Sequence, residues 1–137
     1  MELKPKNKIK EFTDLFAWQA AYKLAMRIQK LSKSFPSEEK FVLTSQVRRS
    51  VLSVTANIAE GFGKRTYSEK VHYCYQAHGS LTETKNHILL AEGYKYLNPE
   101  EFKEIMTDLG DAHKLLLGLI QSTKALGVHS RIQNLES

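Results

Sequence analysis

Leu43, Val47, Val51, Val54 and Ile58 stand three or four residues apart, in a stretch with neither proline nor glycine before Gly61. A strand alternates every second residue and is far shorter, so this period fits a helix, with Gly61 as its C-terminal stop. Ser37 is the candidate N-cap of this second helix, because Glu38 and Glu39 follow it in the first turn, where the helix dipole favours acids.

The same period recurs in three further segments. Leu15, Trp18, Tyr22 and Ala25 form one stripe, with Ala21, Leu24, Ile28, Leu31 and Phe35 beside it, so the first helix faces two neighbours. Thr13 or Asp14 offers its N-cap, and Pro36 disfavours helix at Phe35, which predicts a helix from Asp14 to Lys33. Thr66 and Glu69 have capping-box spacing and open a third helix that reaches about Glu92. Gly79 lies inside that helix, where a glycine costs about 1 kcal/mol relative to alanine, so close packing against another helix is the expected compensation. Asn98, Pro99 and Glu101 supply an N-cap, a first-turn proline and an N3 acid for a fourth helix, predicted to end at Leu126 before Gly127.

Short loops between long helices make sequence neighbours antiparallel. The predicted fold is therefore all-α, an antiparallel up-and-down four-helix bundle over residues 13–126, with a basic flexible segment at 1–12 and a flexible tail at 127–137. An apolar content of 42% over 137 residues suffices for one core. The apolar run Leu115–Ile120 is broken by Gly118 and is too short for a bilayer, and the basic start lacks a signal-peptide h-region, so a cytoplasmic protein without a membrane partner is expected. Cys74 is the only cysteine, which leaves stability to packing.

The net charge of +5 is uneven: residues 1–70 hold 14 Lys or Arg against 7 Asp or Glu, and residues 71–137 hold 6 against 8. Arg48, Arg49, Lys64, Arg65 and Lys70 form the candidate basic patch for nucleic acid, with Phe62, Tyr67 and Tyr73 near them in sequence. Gly61-Phe62-Gly63-Lys64-Arg65-Thr66 departs from a phosphate-binding P-loop at Ile58 and Arg65 and reads as a helix stop and a turn. Cys74 and His78 share a helix face, but two groups make neither a metal site nor a nucleophile-base-acid set. Asn57 and Glu60 end an apolar stripe, where polar groups that face inward need partners across a helix or subunit contact. Glu100, Glu101, Glu104, Asp108 and Asp111 give the fourth helix an acidic start that can meet the basic end of the second helix in a neighbouring subunit. No catalytic residues, cofactor site or metal site are expected from these patterns.

Asp14-Leu15-Phe16-Ala17-Trp18-Gln19, Phe35-Pro36, Gln46-Val47-Arg48-Arg49-Ser50, Asn57-Ile58-Ala59-Glu60-Gly61-Phe62-Gly63-Lys64 and Gly79-Ser80-Leu81-Thr82-Glu83 together resemble the bacterial four-helix bundle proteins encoded in intervening sequences of 23S rRNA genes. The resemblance covers about residues 12–125. It implies a ring-like homopentamer related to the accessory proteins of diversity-generating retroelements, which bind a reverse transcriptase and nucleic acid, and it implies no enzyme activity. Gly61 and Gly79, with Asn57 and Glu60, are then candidate structural or subunit-contact residues. The leading expectation is a non-catalytic oligomer that binds RNA or DNA through phosphates; the alternative is a protein-protein adaptor.

Overall fold

In the computed structural model, which describes residues 8–136, a 3-10 turn at Phe12–Asp14 leads into α1 (Phe16–Ser32). A second 3-10 turn, Ser37–Glu39, precedes α2 (Leu43–Phe62), α3 (Tyr67–Gly93) and α4 (Pro99–Glu136). Residues 1–7, which hold most of the segment predicted to be basic and flexible, lie outside the described residues, as does Ser137. Among the described residues there is no strand, and no helix is long and apolar enough to cross a membrane.

Each helix packs on two others, in the cyclic order α1, α2, α3, α4, and no Cα atoms of the diagonal pairs come within 8 Å of each other. The expected four-helix, up-down-up-down arrangement is therefore present. Leu24, Ile28, Val47, Val54, Ile58, Ile88, Ile105 and Leu116 are fully buried along its axis. Burying a side chain of this size stabilises by about 1.5–3 kcal/mol, and Leu24, Ile28, Val47, Val54 and Ile58 among them belong to the stripes that the helical period marks.

The helix starts differ from the sequence expectation. α1 begins at Phe16 because buried Asp14 turns backward, its carboxylate accepting the amides of Lys10 and Glu11, each at 3.0 Å. α2 begins six residues beyond Ser37, since Phe41 and Val42 are 83% and 60% exposed and Leu43 is the first residue in this segment with an apolar face to bury. The Thr66 hydroxyl accepts the Glu69 amide at 3.1 Å and caps α3 as expected. Asn98 and Glu101 exchange both capping bonds, at 2.8 and 2.9 Å, and open α4.

α4 does not stop at Gly127. It continues to Glu136, so residues 127–136, expected as a tail, are helical. At 38 residues α4 is about 57 Å long against about 26 Å for α1. Gly127 sits in helix because its bare Cα faces Tyr67, where a Cβ would come within 3.1 Å of the tyrosine Cβ. α3 ends on a Schellman motif: the Tyr96 amide donates to the Ala91 carbonyl and that of Lys95 to the Glu92 carbonyl, both at 2.9 Å. The left-handed residue of this motif is Lys95, at φ 66°, where a glycine is usual.

Between α2 and α3 the glycine that allows the close approach is Gly61 and not Gly79. A Cβ on Gly61 would lie 2.9 Å from the Cβ of Tyr73 in α3, whereas Gly79 is exposed with nothing within 4 Å. The cost of glycine inside α3 is thus not offset within the subunit.

Candidate nucleic-acid interface

The antiparallel order divides the sequence-predicted patch. Arg48 and Arg49 lie in the second turn of α2, whereas Lys64 and Arg65 follow its far end and Lys70 of α3 lies beside its last turn, about 20 Å away along the helix. Arg48 is half-buried and its Nε donates to Ser32 Oγ at 2.8 Å, so it ties α2 to the end of α1. Arg49 is exposed. Lys70 Nζ donates to the Phe62 carbonyl at 2.6 Å and satisfies the C-terminal end of α2, while Lys64 Nζ lies 4.9 Å from the Tyr73 ring centroid.

Arg65 instead joins cations that the sequence places more than fifty residues away. It lines a groove of about 680 Å³ with Thr66, Tyr67, Ser68, Lys124 and Arg131, built by the start of α3 and the continued end of α4. No carboxylate lines this groove, and among the described residues none of its three cations has an acidic partner within 4 Å. Lys124 Nζ donates to the Tyr75 hydroxyl. Three cations held without counter-charge beside exposed tyrosine form an electropositive surface suited to an anion. The patch was incompletely legible because it depends on α4 passing through Gly127, a residue that otherwise signals a stop.

The acidic start of α4 is engaged within the subunit. Arg27 of α1 bonds to Asp108, whose side chain is only 4% exposed, and reaches Glu104 at 2.8 Å, with Lys23 at 3.7 Å from Asp108. The bond to Asp108 raises the Arg27 pKa and keeps the guanidinium charged. α1 therefore neutralises Glu104 and Asp108, two of the five acids that were expected to face another subunit, while Glu100 and Asp111 are exposed.

Asn57 and Glu60 separate in role. Asn57 Nδ2 donates to the Ser53 carbonyl at 2.8 Å and to Ser53 Oγ at 3.0 Å, and that hydroxyl meets Ser80 Oγ of α3 at 2.7 Å. Ser50 and Thr84 continue the seam at 2.8 Å. Glu60 points to solvent and takes no part in it. Cys74 is buried, and burial raises its thiol pKa, so it is a packed, protonated side chain. His78 meets His113 of α4 rather than Cys74, with the two Nε2 atoms 3.2 Å apart. Among the described residues no group of three or more His, Cys, Asp or Glu is arranged to hold a metal ion.

Helix order, core and surface together define an all-α four-helix protein whose distinguishing surface is a cation-lined groove at one end. The chain belongs to the 23S rRNA-intervening sequence protein family, whose sequence model matches residues 13–118. It is also similar to the crystal structure of a protein of unknown function from the S23 ribosomal protein family of Bacteroides thetaiotaomicron, with 27% identity and a TM-score of 0.70 over 77% of this chain and 95% of that one. No curated protein matches the chain.

Proposed function

We propose that the protein is a non-catalytic, cytoplasmic oligomer that binds nucleic acid through phosphates, using the groove of Arg65, Lys124 and Arg131 rather than a patch centred on Arg48 and Arg49. The observation that carries this reading is the absence of any carboxylate among the groove's lining residues. Phosphate contacts of this kind release counterions, so affinity falls steeply with salt. Lys64 and Lys70 lie beside the groove but are already held by Tyr73 and Phe62, and they serve mainly to shape the turn before α3. Assembly as a ring of five subunits, with a reverse transcriptase as a protein partner, is the accompanying proposal from the family resemblance. The exposed Phe41 and Val42 just before α2, and Leu52 within it, support assembly by offering apolar surface to cover.

A salt titration of binding to RNA and DNA tests this, run on the native chain and on two variants whose sedimentation and helical signal match it. Arg65→Gln/Lys124→Gln/Arg131→Gln is expected to lose binding near physiological salt and to lower the log-log salt slope by about 2. Arg48→Gln/Arg49→Gln is expected to bind nearly as the native chain does. Equal binding by the triple variant refutes the assignment.

A further inference from the structure

The cationic groove at the end of the bundle continues along the seam between α3 and α4. Lys124 reaches across to Tyr75, with Nζ 4.9 Å from the ring centroid. One turn further His78 and His113 meet, and beyond them a second hollow of about 230 Å³ is lined by Thr82, Lys85, Met106, Gly110 and His113. Four successive stations on one helix pair thus carry cations, imidazoles or tyrosines.

The seam contains no acid. The α3 residues on its line are Ser68, Val71, Tyr75, His78, Thr82 and Lys85, and those of α4 include Met106, Gly110, His113, Lys124 and Arg131. The other side of α4 is opposite in kind: its groove against α1 is lined by Glu104, Asp108 and Asp111 with Lys23 and Arg27 paired to the first two. One helix therefore presents a charge-compensated face to α1 and an acid-free face to α3.

We propose that the α3–α4 seam is a track for a single nucleic-acid strand, running from Arg65 and Arg131 to Lys85. This inference rests on the nucleic-acid reading above and specifies its ligand and path. From Tyr67 to Lys85 the track is about 27 Å long at 1.5 Å per residue. Arg65, Lys124 and Arg131 share the groove at one end and Lys85 lines the hollow at the other, a single path between two helices that suits the backbone of one strand, whereas a duplex displays phosphates along two. Tyr67 and Tyr75 are 37% and 48% exposed along it, and an unpaired base stacks on an exposed aromatic residue where a paired base is withheld in its helix. The gap left by Gly110 gives the strand room beside His113.

The test is fluorescence anisotropy with a labelled RNA of about 15 nucleotides, alone and annealed to its complement, near physiological salt. The single strand is expected to bind at least about tenfold more tightly than the duplex. Lys85→Gln, at the far end, should lower the salt slope by about 0.7 while Lys85→Arg keeps it, and Tyr75→Leu should weaken strand binding about fivefold or more. If Lys85→Gln and Tyr75→Leu bind as the native chain does while the Arg65, Lys124 and Arg131 variant fails, the track is refuted and the groove assignment stands. Duplex binding as tight as strand binding also refutes the track. Failure of every nucleic acid to bind removes both proposals.

Discussion

Gly61→Ala and Gly79→Ala are the same chemical change in adjacent, packed helices, and the geometry gives them opposite signs. At Gly61 the new methyl group would lie 2.9 Å from the Tyr73 Cβ and 3.3 Å from the Lys70 carbonyl oxygen. Neither atom is the free end of a flexible side chain, so α2 and α3 must separate. Overpacking of this kind costs about 1–3 kcal/mol. Alanine's higher helix propensity offsets at most about 1 kcal/mol, and less here because Gly61 is next to the last residue of α2. The net loss is therefore about 1–2 kcal/mol. Gly79 and Gly118 have no heavy atom within 4 Å of the added Cβ, and each substitution is expected to stabilise by about 0.5–1 kcal/mol. Urea unfolding followed by helical circular dichroism, at one fixed protein concentration, should separate Gly61→Ala from Gly79→Ala by about 2 kcal/mol, with Gly118→Ala beside the latter. If Gly61→Ala proves as stable as Gly79→Ala, the close approach of α2 and α3 is wrong.

Arg27→Met should destabilise by about 2–4 kcal/mol because it leaves buried Asp108 with only Lys23 nearby, and Arg27→Met/Asp108→Leu should recover most of that; a loss under about 1 kcal/mol in urea melts would mark an ordinary surface pair. Lys95→Gly should stabilise by about 0.5–1 kcal/mol by relieving a left-handed backbone at the end of α3, and an unchanged or lower urea midpoint contradicts that conformation. The bond from Tyr96 to Glu39 raises the phenol pKa to about 12 in the folded chain. The neutral phenol is thus favoured on folding, so its contribution is complete below the ordinary value near 10 and is lost as pH rises through about 12. The stability difference between the native chain and Tyr96→Phe should accordingly shrink in urea melts taken above pH ~10, and a difference constant with pH would argue against the bond.

The helices were legible wherever apolar period and capping chemistry agreed. Asn98-Pro99-Glu101 started α4 as written because its capping groups act locally, within four residues. Ser37 misled because a cap is effective only where an apolar face follows to be buried, and Phe41 and Val42 face outward. Gly127 misled in the opposite sense, since a glycine marks either a stop or a close approach and only the position of Tyr67 decides which. The basic residues were countable, but their grouping depended on helix pairing. Arg65 meets Lys124 and Arg131 through tertiary structure, as His78 meets His113, and no sequence spacing encodes either meeting.

The hydroxyl seam between α2 and α3 acts as a rotational key. Sliding α3 by one turn, about 5.4 Å, or turning it by one residue, would strip Thr84 from Ser50 and Ser80 from Ser53 and leave Asn57 without its relay. An apolar seam tolerates such slips far better, because leucine packs against leucine in many registers. By holding α3 at one angle from behind, these small polar groups determine which of its residues line up with α4 in front. Alanine at Ser50 and Thr84 together can leave stability nearly unchanged and still blur the alignment of Tyr75, His78 and Lys85 with their partners. The accuracy of the outer surface would then be set on the opposite side of the helix from the surface itself.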